Sequence, residues 1–117
     1  MLGQHPIREQ IRLENVLTAL GNSIRLAIVR ILDEEGERSC GTVGASLGIE
    51  ISKSTLTHHW RVLRDSGVIW QRPAGRENLL SLRREDLAIR FPGLLEAVLR
   101  ADPPTELTVS RSGRGNQ

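Results

Sequence analysis

The sequence is poor in the residues that chemistry usually needs. It has one cysteine, Cys40, which cannot close a disulfide within the chain, and that fits a reducing compartment. It has no apolar run of the ~18 residues that would cross a bilayer. The opening stretch, MLGQHPIREQ, lacks the charged-then-apolar pattern of a secretory signal, so the expectation is a cytoplasmic protein with no membrane partner. No Cys-x-x-Cys, His-x3-His, Gly-rich nucleophile elbow or phosphate loop occurs. The reading is therefore no metal site, no cofactor and no catalytic residues: not an enzyme.

What is present is 117 residues, enough for one domain with a modest core and too few for two. The net charge is only +2, but it is unevenly spread. Residues 1–52 carry five Arg against seven acids, and residues 77–117 balance six against six. Residues 53–76 hold Lys53, Arg61, Arg64, Arg72 and Arg76 against Asp65 alone, five against one. A basic excess confined to one segment is the footprint of a face that binds a polyanion. A solvated charged helix and hairpin is the rival reading of the same charges.

Hydrophobic spacing divides the chain into short elements. Pro6 suits a helix's first turn, and Ile7, Ile11, Leu17 and Leu20, flanked by Leu13 and Val16, repeat at near-helical spacing up to Gly21. Asn22 or Ser23 caps a second, densely apolar helix that Gly36 ends. A short Gly-interrupted helix, TVGASLG, is followed by one that Ser52 or Ser54 starts and Gly67 stops. VIWQR and NLLSL flank a Pro/Gly turn and read as a hairpin. REDLAIRFPGLLEAVLRA reads as a helix broken near Pro92, and residues 102–117 as a disordered tail after a domain spanning 1–101. The order is mainly α with a small β-hairpin, that of a winged helix-turn-helix.

The segment SKSTLTHHWRVLRDSGVI places two histidines side by side. Adjacent helical residues point about 100° apart, so His58 and His59 cannot chelate one metal ion. On a wheel zeroed at Leu56, Leu63 lies about 20° and Trp60 about 40° away, which defines a buried side. His59 falls on its flank, where a structural imidazole giving a ring N–H to a backbone carbonyl is expected. His58 falls on the outer face with Ser54, Thr57, Arg61 and Asp65. Short donors and acceptors near a helix start, with positive charge around them, suit reading of the DNA major groove.

ALGNSIRLAIVRIL (19–32), SKSTLTHHWRVLRDSGVI (52–69) and the Gly75-Arg76 turn resemble the ArsR/SmtB family of winged-helix repressors, over roughly residues 13–99. The resemblance implies a homodimer, held by its N- and C-terminal helices, that binds near-palindromic double-stranded DNA and blocks transcription. It also implies that Lys53, Ser54, Thr57 and His58 face the bases and that Gly75 and Arg76 form the wing. There are departures. Asn22-Ser23-Ile24-Arg25 stands where the family has Asp-Pro-Thr-Arg, Trp60 replaces a leucine, and two extra residues lie between Leu47 and Ser52. The metal-binding Cys-x-Cys pair is also missing, Cys40 standing alone, and the last helix has no His.

The resulting assignment gives base reading to Lys53, Ser54, Thr57 and His58. Backbone contacts fall to Arg61, Arg64, Arg72 and Arg76, and the dimer seam to Ile7, Ile11, Leu17, Leu94, Leu95 and Val98. Two rivals stand beside it: a metal- or redox-responsive sensor with a non-standard site, and a protein-interaction module working with a partner regulator. An unidentified effector or partner protein stays open in every case.

Overall fold

A computed structural model describes residues 5–48 and 50–101, so the tail expected over 102–117 lies outside the described residues. Six helices, α1 (Leu13–Leu20), α2 (Ser23–Glu35), α3 (Cys40–Ser46), α4 (Lys53–Ser66), α5 (Arg84–Arg90) and α6 (Leu94–Arg100), surround three strands, β1 (Arg38–Ser39), β2 (Ile69–Ala74) and β3 (Glu77–Leu82). The antiparallel sheet has the order β1-β3-β2. Its expected hairpin is β2–β3, from Ile69 opposite Leu82 to Ala74 opposite Glu77. β1 was not anticipated: Arg38 and Ser39 pair with Leu80 and Leu79. Among the described residues no single helix is long and apolar enough to cross a membrane.

One core joins these elements. Ile28, Val29, Val43, Leu63, Val68, Ile69 and Leu80 are fully buried in it, each such side chain contributing about 1.5–3 kcal/mol of transfer free energy. Asn22, not Ser23, caps α2; its side-chain oxygen accepts the N–H groups of Ile24 and Arg25 at 2.9 and 3.0 Å. Gly44 has a packing reason despite its low helix propensity. A Cβ there would lie 3.3 Å from Leu56 Cδ1, so its absence lets α3 and α4 approach closely.

The N-terminal segment departs from the expected single helix. Arg8–Gln10 form one 3-10 turn, Ile11 and Arg12 are extended, and only then does α1 begin. The break drops Ile11 into the core beneath Gly67, where it is 1% exposed. Ion pairs and hydrogen bonds fix the segment against α5: Asp86 accepts from Arg8 Nε at 2.7 Å and from buried Arg83 Nη2 at 2.9 Å. Arg83 also donates to the Pro6 carbonyl at 2.8 Å, and its guanidinium lies 3.7 Å from the centre of the Trp70 ring.

Candidate nucleic-acid interface

α4 is built as an amphipathic rod with a defined start. The Ser52 hydroxyl oxygen accepts the Thr55 N–H at 3.2 Å, which settles the N-cap, and left-handed Gly67 closes the helix. His59, Trp60 and Leu63 are buried. Lys53, Ser54, Thr57, His58 and Arg61 are all exposed. The four expected base-reading side chains therefore share the solvent face of the first two turns, with Ser54 Oγ 3.2 Å from Ser52 Oγ. Arg76, at the β2–β3 turn, is exposed and lines one cleft together with Lys53 and Thr57, so the wing tip faces the start of the helix.

Two of the four arginines assigned to the DNA backbone are engaged within the chain. Arg64 donates to Asp65 at 3.0 Å, and its side chain is only 15% exposed, which takes it off the open face. Arg72 makes a bidentate pair with Glu37, both bonds at 3.0 Å. That pair is solvent-exposed and hence weakly held, so Arg72 reaches a phosphate only by sharing or leaving Glu37. Arg61 and Arg76 carry no such carboxylate partner in the described hydrogen bonds and ion pairs.

The histidine pair divides as the helix geometry requires, with ring centroids 5.6 Å apart. His59 is 6% exposed, but its partner is not a backbone carbonyl. Its Nδ1 lies 3.1 Å from Arg25 Nη1. A guanidinium only donates, so Nδ1 must be an acceptor and the ring proton sits on Nε2. Arg25 spends its other donors on the last turn of α1, Nε on the Ala19 carbonyl at 2.8 Å and Nη2 on that of Thr18 at 3.2 Å. A cation at a helix C-terminus is favourable, and here it ties α1, α2 and α4 together. The available signal was Arg25, the one charge in the otherwise apolar run IRLAIV.

Burial, then the Arg25 charge, then His58, hold the His59 pKa below its ordinary value. Only the unfolded chain gains this proton once the pH falls below the free value of about 6.5, so stability must drop from there down to the folded pKa. Urea unfolding from neutral pH to pH ~5 is expected to show that loss. His59→Asn keeps an acceptor without titrating and should remove part of it; equal slopes in both proteins would put the titration elsewhere.

Cys40 is half-buried; burial, then the Glu77 charge, push its thiol up to about 11. At neutral pH the thiol is held protonated, which lowers its nucleophilicity and weakens the redox-sensor reading. Among the described residues no three of His, Cys, Asp and Glu come together to hold a metal ion.

The residues expected at a dimer seam separate into two groups. Ile7 and Leu17 are 59% and 47% exposed, and Leu94 and Val98 are partly buried. Ile11 and Leu95 belong instead to the core of the single chain and are unavailable to a partner. Leu13 and Ile89, which were not assigned, leave large apolar surface exposed. Leu13 and Leu17 are one helical turn apart on a common face.

Comparison with known proteins agrees with this architecture. A family model described as a helix-turn-helix domain matches residues 20–72. The chain is 37% identical over 91 residues to YceK, an uncharacterized HTH-type transcriptional regulator of Bacillus subtilis (strain 168), covering 77% of this chain and 88% of that one. The crystal structure of the transcriptional repressor BigR from Xylella fastidiosa superposes with a TM-score of 0.57 at 30% identity, covering 77% of this chain and 88% of that one. A crystal structure of an ArsR family transcriptional regulator gives a TM-score of 0.61 at 21% identity, over 73% and 90% of the two chains, a likeness of fold.

Proposed function

The chain belongs to the helix-turn-helix transcriptional regulators, DNA-binding proteins and not enzymes, and has the winged fold of the ArsR-family structures; from that premise we propose that it acts in the cytoplasm as a homodimeric repressor. Residues 1–101 form its DNA-binding and dimerisation unit. The observation that carries this reading is the gathering of Lys53, Ser54, Thr57, His58 and Arg61 on the open face of α4, opposite Arg76 at the wing. The hydroxyls of Ser54 and Thr57, the His58 imidazole and Lys53 read base edges in the major groove. Arg61 and Arg76 set the register on phosphates, and Arg72 joins them by leaving Glu37.

Dimerisation is supported by the apolar surface that Ile7, Leu13, Leu17 and Ile89 leave exposed, with Leu94 and Val98 contributing their uncovered parts. Two-fold symmetry then sets two copies of α4 in successive major grooves about 34 Å apart, on a near-palindromic site. A dimer so seated occupies promoter DNA and keeps the transcription machinery off it.

The salt dependence of binding tests the wing. Arg76→Ala is expected to weaken binding to every sequence and to flatten the log K against log [salt] slope by about 0.9 per lost phosphate contact, about 1.8 for a dimer. Fluorescence anisotropy on labelled duplex measures it. An unchanged slope removes Arg76 from the interface.

A further inference from the structure

We propose that Arg25 and His59 are positioning residues for base reading, an assignment that rests on the DNA face and dimer proposed above. Their contact sets the rotation of α4 against α1, and with it the orientation of both reading helices in the dimer, without touching DNA. It joins His59 Nδ1 on α4 to Arg25 Nη1 on α2 at 3.1 Å, with both side chains buried. Among the described hydrogen bonds it is the only one that ties a side chain of α4 to another helix or strand.

Rotation matters because reading is directional. Lys53, Ser54, Thr57 and His58 are aimed by the helix that carries them. A turn of about 20° about the helix axis, acting at the ~5–6 Å radius of a helix with its side chains, moves an outer atom by about 2 Å. A hydrogen bond to a base edge tolerates only about 0.5 Å. Trp60 and Leu63 hold the inner side of α4 by apolar burial, a force without direction. The Arg25 contact is directional, and it grips the ring next in the chain to His58.

Arg25 also connects that grip to the proposed dimer seam. Its Nε and Nη2 donate to the Ala19 and Thr18 carbonyls at 2.8 and 3.2 Å, in the last turn of α1. The same helix leaves Leu13 and Leu17 exposed. One planar, rigid fork therefore spans the helix proposed to meet the partner copy and the helix proposed to read DNA. Two-fold symmetry repeats this setting in both half-sites, so the contact governs which half-site spacing the dimer accepts.

The test is fluorescence anisotropy of the full chain on three duplexes: one that the wild type selects from a random pool, the same duplex with one base pair inserted between its half-sites, and a random one. The insertion displaces one half-site by about 3.4 Å and turns it by about 35°. Wild type is expected to lose about tenfold on it, the worth of one base contact. Arg25→Lys keeps the charge but not the three-way fork, and His59→Leu fills the space without an acceptor. Each should bind the selected duplex about tenfold more weakly than wild type, bind random duplex equally, and discriminate less against the insertion. His59→Asn keeps an acceptor and should recover part of the selectivity. Circular dichroism melts fix a temperature at which each variant is folded. Variants that melt earlier yet keep the wild-type selectivity and spacing preference show a contact that only stabilises the fold, which overturns the inference and leaves the DNA face standing. Equal weakening on all three duplexes overturns it likewise. A wild-type chain that selects no sequence, or ignores the insertion, overturns the symmetric DNA-reading dimer and the inference with it.

Discussion

Gly67→Ala is expected to destabilise the protein by about 3 kcal/mol, the largest loss predicted for any single methyl added to this fold. Two costs add. Gly67 sits at φ +89°, a left-handed conformation that costs an L-residue about 1–2 kcal/mol. The new Cβ would also lie 2.5 Å from Ile11 Cγ1 and 2.8 Å from its Cδ1, well inside contact distance. Overpacking of this kind costs about 1–3 kcal/mol, because Ile11 is buried and cannot swing into solvent without dragging the N-terminal segment with it. Gly93→Ala separates the terms. Its φ is +83° and its ψ −13°, the same left-handed region as Gly67, yet nothing lies within 4 Å of an added Cβ, so only the backbone cost of about 1–2 kcal/mol remains. Chemical denaturation of the two variants measures the difference. Equal losses would show that the clash with Ile11 relaxes freely.

The contact between Gly67 and Ile11 also illustrates what a sequence can and cannot reveal. Gly67 is legible as a helix stop, because glycine after a periodic run signals a left-handed cap. That Ile11 lies beneath it depends on the chain folding back across 56 positions (67 less 11), and no local pattern carries such information. The same limit explains the split among the apolar residues expected at a dimer seam. Ile7 and Ile11 are chemically identical, yet one is exposed and the other buried, since a 3-10 turn and a bend separate them. β1 escaped notice because two residues are too few for alternation to register. Arg72 and Arg64 were legible as charges, but their carboxylate partners could not be assigned. Glu37, 35 positions from Arg72, meets it only because β1 and the hairpin share a sheet.

The face of α4 was legible for the opposite reason. Within one helix the direction of every side chain follows from residue spacing alone, so inward Leu63 and Trp60 fix outward Thr57 and His58 without knowledge of the rest of the fold. The partner of His59 was not fixed by that rule. Knowing that the ring turns inward says nothing of Arg25, which reaches it from another helix.

His58→Ala is expected to weaken binding to the specific site by about 2–6 kcal/mol while changing binding to random duplex little. Each base contact is worth about 1–3 kcal/mol of discrimination. A homodimer on a near-palindrome loses it in both half-sites, so the cost doubles. The side chain is exposed and makes no hydrogen bond that holds the fold, so stability should be unaffected by its removal. Thr57→Ala should behave alike for the same reason. The doubling gives the experiment a second use. On a duplex in which one half-site has been scrambled, the wild-type dimer reads bases through one helix only, and the penalty of His58→Ala should fall by about half. Anisotropy titrations on intact, half-scrambled and random duplexes give all three values at one salt concentration. A loss of equal size on all three would mean that His58 contributes to electrostatic attraction rather than to reading. A loss confined to the specific sites but undiminished by scrambling would mean that one helix, and not two, does the reading, and the symmetric arrangement would have to be abandoned.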